Sequence, residues 1–431
     1  MKPNSISSKQ LKLVALVSLI PIVFSLIVFG SWLSNRNQVE PEWLGNPLRE
    51  DGHRDRALNV WDLQAFDGKI FLAGGSTVNN SGPIKVWAYD PQVQEFDREY
   101  VVEEEAIEHF RVLEDRLYIP AADPTKGDRH KFYRREAGKW QRYDSSQVKL
   151  AHVRDLIQTD TGEILMVGNT RQVDKPETRG AAIAFEDDNG LKIEPAGIEN
   201  VLIKGRVSAN FNWFFSVFRY QNRIFATNTL LKDAENIEGA IAEYNPESKS
   251  FTLNFQLGND EFIPAEIIGS ETMQGRKTIY RPWNPVQFQD YLVYPVRSYS
   301  IFSSNYKQAY MNTIGFFYKS GMGNTPQTLE LPEGVGEDVL IVDDELYVLA
   351  NRRDANGKFT IFVFKTDSLN KSTRWQRVAK FDNWSKARSF EYLDGTFYFG
   401  LGQDYDAGIY NSGDILSYRP KSGRKKLDRA E

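Results

Sequence analysis

Short stretches of alternating apolar and polar residues run along most of this chain and are separated by polar turn residues. In the first group, Ile84 to Tyr89 alternates with the period of two that is typical of a half-buried β-strand. Val60–Phe66, Ile70–Ala73 and a segment that begins at Phe96 give three more strands, and Asp67-Gly68 forms the first turn. The pattern predicts a unit of four short antiparallel strands.

One turn motif from this unit recurs along the chain: a polar pair, any residue, an apolar residue, then an aromatic or aliphatic one. The seven copies begin at Asp67, Glu114, Thr161, Gln221, Gln289, Asp343 and Asp394. Successive copies lie 47 to 68 residues apart, and a period of this size built from short strands is typical of propeller blades. We therefore expect an all-β fold, a seven-bladed β-propeller of four-stranded blades over residues 43–420.

A second spacing links an aromatic residue of the third strand to one of the fourth. Tyr89 precedes Phe96, Tyr133 precedes Trp140 and Tyr244 precedes Phe251, each by seven residues. In these three units the chain resembles kelch-type propeller repeats, which pair a tyrosine with a later tryptophan at this spacing. Their double glycine occurs once, as Gly74-Gly75. The resemblance implies a fold that binds more often than it catalyses.

The last unit lacks a fourth strand in the sequence. After the segments Ser389–Leu393, Phe397–Leu401 and Asp414–Tyr418 the chain becomes basic and polar. An open sheet edge is a liability that closure removes. The missing strand is therefore expected from the beginning of the domain, within Trp43 to Leu58.

An apolar segment without charge runs from Leu13 to Asn35, which is long enough to cross a bilayer. Three lysines precede it and Arg36 alone follows before Glu40, so the positive-inside bias places the following domain outside the cytoplasm. We expect a cytoplasmic N-terminus (1–12), a transmembrane signal-anchor (13–35), a linker (36–42), the propeller and a basic tail (421–431). Cleavage as a signal peptide is the alternative; both interpretations export the domain.

Composition and net charge exclude several classes of partner and site. The chain has a net charge of −5, and an exported acidic domain makes nucleic acid an improbable partner, because binding it depends on neutralising phosphates. There is no cysteine, which excludes disulfides and thiolate metal sites. The sequence has no Gly-rich phosphate loop and no nucleophile elbow, so we predict no cofactor.

Candidate ligand-binding residues lie on the segments between second and third strands and, for Arg206, on the segment that enters the fourth unit, because propeller ligands generally sit on the face formed by these loops. Guanidinium groups suit carboxylates, and aromatic faces suit sugar rings. The candidates are Arg171, Arg179, Arg206, Arg297, Tyr299, Arg352, Arg353 and Tyr405, with Arg129, Tyr306 and Tyr410 nearby. The alternative is that these are ordinary polar residues of solvated loops.

Four histidines occur, and two of them, His109 and His152, fall in or near first strands. No paired histidine spacing is present, so we predict no metal site, and a histidine satisfied within a strand is the favoured interpretation.

Two functions remain open. The first is a membrane-anchored binding module for an anionic or carbohydrate ligand or a protein partner, with catalysis disfavoured. The second is an exported hydrolase or lyase that acts on carbohydrate or an anionic small molecule.

Overall fold

The computed structural model describes most of the chain between Gln38 and Pro420. The described residues are 38–76, 81–121, 124–125, 131–144, 148–172, 179–187, 190–199, 202–203, 206–207, 212–231, 237–254, 272–273, 276–300, 311–321, 324–370, 373–403 and 410–420. The predicted transmembrane segment and the basic tail lie outside them. Within the described part no helix is long and apolar enough to cross a membrane.

Strands dominate the described chain, and the first half contains four antiparallel units. A first strand, β1 (Glu42–Gly45), precedes helix α1 (Pro47–Glu50) and a 3₁₀ turn (Asp55–Leu58). Unit 1 is β2 (Asp62–Phe66), β3 (Lys69–Ala73), β4 (Ile84–Asp90) and β5 (Glu95–Val102); unit 2 is β6 (Arg111–Leu113), β7 (Arg116–Ile119), β8 (Lys131–Glu136) and β9 (Lys139–Asp144). Unit 3 is β10 (Val148–Gln158), β11 (Ile164–Gln172), β12 (Arg179–Asp187) and β13 (Gly190–Glu199). After the hairpin of β14 (Leu202–Ile203) and β15 (Arg206–Val207), unit 4 is β16 (Asn212–Tyr220), β17 (Arg223–Leu231), β18 (Ile237–Asn245) and β19 (Ser250–Asn254).

The second half contains three further units. A short strand, β20 (Thr272–Met273), pairs with β21 (Arg276–Pro282). In unit 5, β21 and β22 (Val286–Phe288) together form the first strand and are followed by β23 (Tyr291–Ser300), β24 (Met311–Gly321) and β25 (Asn324–Thr328). Unit 6 is β26 (Val335–Val342), β27 (Glu345–Arg353), β28 (Phe359–Thr366) and β29 (Gln376–Asn383). Unit 7 is β30 (Lys386–Leu393), β31 (Thr396–Gly402), β32 (Ile415–Tyr418) and β1.

The seven units are arranged as a seven-bladed propeller requires. From unit 2 to unit 7 the first strands of neighbouring units contact each other in order, and β30 of unit 7 contacts β2 of unit 1. Hydrophobic clusters lie between adjacent units; one of them joins Phe71 and Val86 of unit 1 to Phe110 and Tyr133 of unit 2. The outer strands of units 3 and 4 also pair in parallel, Gly197 opposite Ser250. The all-β prediction is confirmed.

The repeated turn motif has a conformational cause. In the first, fourth, sixth and last copies both residues of the turn pair have positive φ, as in Asp67 (52°) and Gly68 (72°). Two left-handed residues define the tight hairpin turn whose twist matches that of β-strands, and Asp, Asn and Gly tolerate that conformation best. The motif is therefore the connection between first and second strands. All seven connections lie on one face of the ring, which we call the turn face; the opposite face, with the strand 2–3 connections, is the loop face.

The aromatic spacing is confirmed as a cross-strand pair in two of its three units. Tyr89 is the register partner of Phe96, with ring centroids 5.0 Å apart, and Tyr244 is the partner of Phe251 at 5.4 Å. In unit 2, Trp140 instead pairs with Arg135, and both Trp140 and Tyr133 lie 6.0 Å from the ring of Tyr100.

Closure of the ring by the beginning of the chain is confirmed. Strand β1 pairs antiparallel with β32 and begins one residue before the expected range. The side chain of Asn46 then donates to Ser412 O (2.9 Å) and Asp414 Oδ1 (2.8 Å) and accepts from Arg49 N (3.0 Å), so it caps helix α1 while holding it to unit 7.

Removing the closing strand should unfold the domain. Deletion of residues 38–46 exposes the edge of β32 and removes the Asn46 bonds, so we expect loss of a cooperative melting transition and aggregation. Trp43→Ser is the control, because it keeps the backbone ladder and changes only an exposed ring. Thermal melting followed by circular dichroism tests this; an unchanged melting temperature for the deletion would refute closure as a requirement.

A buried carboxyl group joins unit 7 to unit 1 near the turn face. Glu391 Oε2 accepts from Ala65 N (3.0 Å) and Gln64 Nε2 (3.1 Å), and Oε1 accepts from Tyr392 N (2.8 Å). Burial raises the pKa of Glu391 to about 7, although the hydrogen bonds from Ala65 and Tyr392 act in the opposite direction. The folded state therefore favours the protonated acid.

This shift predicts a pH-dependent stability. Because the folded pKa lies above the unfolded one, the stabilisation by protonated Glu391 is complete below about pH 4.5 and is lost as the pH rises through about 7. In Glu391→Gln this component is absent. From pH 5 to pH 8 the unfolding free energy of the wild type should therefore fall by roughly 3 kcal/mol relative to that of the variant. Urea unfolding across this range measures the difference; parallel curves would contradict the assignment.

Candidate functional site

One position in or next to the first strand of every unit carries a polar or charged side chain. It lies five residues before the turn pair in six units and six residues before it in unit 3. We call these residues the polar ring: Asp62, His109, Asp155, Ser216, Asn284, Asp338 and Ser389. All except Asn284 are buried.

Among the described residues, six of the seven ring residues contact a backbone atom of the following unit; the exception is Asn284. The three aspartates accept a backbone N–H of the following unit: Asp62 from Phe110 (2.9 Å), Asp155 from Val217 (3.0 Å) and Asp338 from Phe390 (3.2 Å). The serines donate to carbonyl oxygens, Ser216 to Pro282 (3.0 Å) and Ser389 to Val60 (3.2 Å). His109 Nε2 lies 2.9 Å from Arg154 O, and its ring packs on Trp283 at 4.5 Å. Nε2 of His109, two residues before β6, is thus satisfied, as the interpretation of this histidine as a structural residue expects.

Arg111 of unit 2 occupies the centre of this ring. Its Nε and Nη2 donate to the two carboxylate oxygens of Asp155 (2.8 and 3.1 Å), and Nη2 also donates to Asn284 Oδ1 (3.1 Å). Burial acts to lower the pKa of Arg111, but the charge of Asp155, with weaker contributions from Asp62 and Asp338, raises it overall. The guanidinium therefore neutralises a charge cluster supplied by units 1, 3 and 6.

The other buried cations of the first strands also have defined partners. Arg154 Nη1 bonds Glu108 Oε1 at 2.9 Å, and Lys386 Nζ bonds Glu337 Oε2 at 2.9 Å with both side chains 2% exposed. Arg388 donates to Gln403 O (2.9 Å) and lies 4.2 Å over the ring of Trp61. These groups serve cohesion between units, because each is already committed to a neighbouring strand.

The predicted ligand arginines lie in strands rather than loops, which corrects the sequence interpretation. The backbone of Arg171 in β11 is the register partner of Arg179 in β12 and of Lys149 in β10, so three cationic positions lie side by side on unit 3. In unit 5, Arg297 of β23 is the partner of Arg281, and Tyr299 lies two residues further along. These positions are at the loop-face ends of their strands.

The remaining predicted residues divide into three groups. Arg206 lies in the β14–β15 hairpin between units 3 and 4. Arg352 bonds Glu333 Oε2 at 2.6 Å and lies over Phe362, while Arg353 lies over Phe359, so both belong to the exposed side of unit 6. Tyr405, like His130, Arg129 and Tyr306, lies outside the described residues. The structure places the backbone of Arg171 opposite that of Arg179.

His152 stands out among the described residues near this cationic row. It lies in β10, three residues toward the loop face from Asp155, at a bulge where the register with β11 shifts between Ala151 and Val153. Its φ of 57° is left-handed, a strained conformation that is found preferentially at functional sites. The bulge requires Gly168 opposite, since a Cβ there would lie 2.0 Å from His152 O. The imidazole is partly exposed, whereas Val153 beside it is buried.

The chain is similar in fold to solved polysaccharide lyases. A lyase of family PL25 (ulvan lyase) matches with a TM-score of 0.50 and 9% identity over 89% of this chain and 95% of that one. The same class of lyase bound to -[GlcA(1-4)Rha3S]- gives 0.49 and 10% identity over 89% and 95%, and polysaccharide lyase Uly1 gives 0.43 and 8% over 85% and 91%. The sequence matches no protein-family model, and a search of curated proteins found no match.

Two sequence interpretations change with this result. The preference for a module without catalysis is wrong, since the solved structure that matches this fold with a TM-score of 0.50 is a polysaccharide lyase. This comparison supports the propeller architecture and gives no support to a specifically kelch-type repeat.

The polar ring should dominate stability. Asp155→Ala leaves the Arg111 guanidinium and Val217 N without their buried acceptor, and breaking a buried charge pair costs about 3–5 kcal/mol. Asp160→Ala, which removes the exposed Arg219 bond five residues away, should cost no more than about 1 kcal/mol. Chemical unfolding of both variants measures the two values; equal values would show that the ring is not a structural element.

Proposed function

We propose that this protein is a polysaccharide lyase that cleaves an acidic, uronate-containing polysaccharide, with its active site on the loop face of unit 3. The fold shared with ulvan lyase supports the enzyme class. The observation that carries the location is His152, a partly exposed imidazole held by a left-handed bulge in a first strand, beside the row of Lys149, Arg171 and Arg179.

The residue types suit β-elimination at a uronate. A base removes the proton on C5, next to the carboxylate, and negative charge develops on the carboxylate oxygens. The C4–O bond then breaks, the leaving oxygen takes a proton, and a C4=C5 double bond remains; no water is consumed. Arginines that grip the carboxylate stabilise the developing charge, and histidine is the commonest general base.

The role of each group follows from its position. His152 is proposed as the base, because this partly exposed residue lies in the loop-face part of β10, in the same strand as Lys149 and beside β11 with Arg171. Arg171 and Arg179 are proposed to bind the uronate carboxylate, and Arg297 of unit 5 a second anionic group of the polymer. The net charge of the chain is negative, but a row of cationic residues attracts a polyanion locally.

We further propose that residues 13–35 anchor the enzyme with this face directed away from the membrane. Gln38 pairs parallel to Lys380 of β29, so the chain enters the body in the direction of the outer strands, from the turn face. An anchor on that side leaves the loop face open to a polymer outside the cytoplasm. Carbonate washing of membranes tests the anchoring.

The activity is tested with full-length protein in mild detergent. Incubation with ulvan and with polygalacturonate should raise the ultraviolet absorbance as unsaturated uronate ends form. His152→Ala should lower kcat by about 10²–10⁴ with an unchanged melting temperature, and Arg171→Ala with Arg297→Ala should mainly raise KM.

His53→Ala is the matched control, because His53 is a partly exposed histidine on a different segment; it should retain full activity. Full activity of His152→Ala would refute the assigned base. New reducing ends without the absorbance change would show hydrolysis and refute the lyase.

A further inference from the structure

A cluster of exposed aromatic side chains lies on the rim of unit 7. Among the described residues, the large aromatic side chains that are strongly exposed are Trp43 (61%), Trp384 (45%) and Tyr410 (62%). Trp384 lies between β29 and β30, Tyr410 precedes β32, and Trp43 belongs to β1. Three segments distant in sequence thus present rings to solvent around one blade, although water exposure of such rings is unfavourable.

These rings surround polar groups rather than an apolar groove. The centroids of Trp384 and Tyr410 are 5.5 Å apart at 43°. Arg49 Nη2 donates to Tyr410 O at 2.9 Å. Arg49 also lines, with Trp43, Asn46, Glu50 and Asp414, a cavity of about 440 Å³, within the usual range for small-ligand sites.

The backbone beneath the cluster is fixed by hydrogen bonds. Asn411 Nδ2 donates to Asp414 Oδ2 (3.1 Å) and Asn411 N to Ser385 Oγ (3.2 Å), while Asn46 holds Ser412 and Asp414. Ser385 N in turn donates to Asn383 Oδ1 (3.0 Å). The segments that carry Trp384 and Tyr410 are therefore tied together, which lowers the entropy lost on binding.

We propose that this rim, formed by Trp43, Arg49, Trp384 and Tyr410, is a second carbohydrate-binding site that holds sugar units of the polysaccharide away from the cleavage site. It rests on the proposed function for the identity of the polymer. Sugar rings have apolar C–H faces and hydroxyl edges, so they require aromatic faces interleaved with hydrogen-bonding side chains. Arg49 and Glu50 supply those donors and acceptors beside Trp43, and the guanidinium also suits a carboxylate or sulfate.

The location fits a polymer that reaches across the loop face. The Tyr410 segment is the strand 2–3 connection of unit 7, and Trp384 lies in the connection from unit 6 to unit 7. Both are on the same face as His152. A chain held at unit 7 is kept near unit 3, which raises its effective concentration at the cleavage site.

Affinity electrophoresis of the full-length protein in gels containing ulvan, polygalacturonate or hyaluronan tests the site. The wild type should be retarded by at least one polymer, and Trp384→Ala with Tyr410→Ala should weaken retardation by roughly tenfold in Kd, the effect of two aromatic contacts. Val93→Ala, 60% exposed in a turn on the opposite face, is the control and should migrate like the wild type.

Kinetics separate this inference from the proposed activity. The double variant should raise KM for the long polymer several-fold and leave kcat on a short oligosaccharide unchanged, whereas His152→Ala should keep full retardation. If the wild type cleaves nothing but is retarded, the lyase proposal fails and the binding site stands. If no polymer retards the wild type, or if the double variant converts a sedimenting dimer to a monomer, the site is not for carbohydrate and the inference is overturned.

Discussion

The fold depends on side-chain-to-backbone hydrogen bonds that, at six of the seven junctions in the described chain, join one unit to the next. Seven units around a ring have no common centre, and the large apolar clusters of the described residues lie between neighbouring units. The polar ring adds directional bonds where the strands converge. Leaving one of these groups unsatisfied costs about 1–3 kcal/mol. Since the partner is a backbone atom, the bond survives any side-chain change on the partner strand. This explains how units with little sequence in common beyond a turn can still close one ring.

The same arrangement determines where chemistry is available. Arg111, Arg154 and Lys386 are each held by a carboxylate at 2.8–2.9 Å, so the interior cations balance interior anions. The first strands continue past the ring toward the loop face, and His152 lies on such a stretch, on a bulge outside the regular ladder. Cohesion extends beyond the ring in unit 7, where Lys386 is held by Glu337 three residues from Ser389, whereas His152 at the corresponding position of unit 3 is partly exposed.

Sequence reasoning recovered the features that local conformation dictates. The turn pairs are detectable because left-handed φ restricts the residues allowed at Asp67-Gly68 and Asp394-Gly395, and the missing fourth strand of unit 7 implied closure by β1. It placed Arg171 and Arg352 in loops because polar strand ends resemble loops when the alternation stops. It overlooked the polar ring, although a polar residue five positions before the turn in six units, and six before it in unit 3, was a usable signal. Asp62 and Asp338 looked like ordinary strand residues, since the amide each one binds belongs to another unit.

The pairing of β1 with β32 both closes the ring and forms the rim of unit 7. Trp43 and Arg49 come from the beginning of the domain, Trp384 and Tyr410 from its last unit, and they meet only because β1 pairs with β32 and Asn46 bonds Ser412 and Asp414. A unit whose four strands were continuous in sequence would not bring a distant part of the chain to this position. The junction that closes the ring is therefore also the position where side chains from both ends of the domain can be combined without disturbing the polar ring. A binding surface formed there exists only in the closed, folded protein.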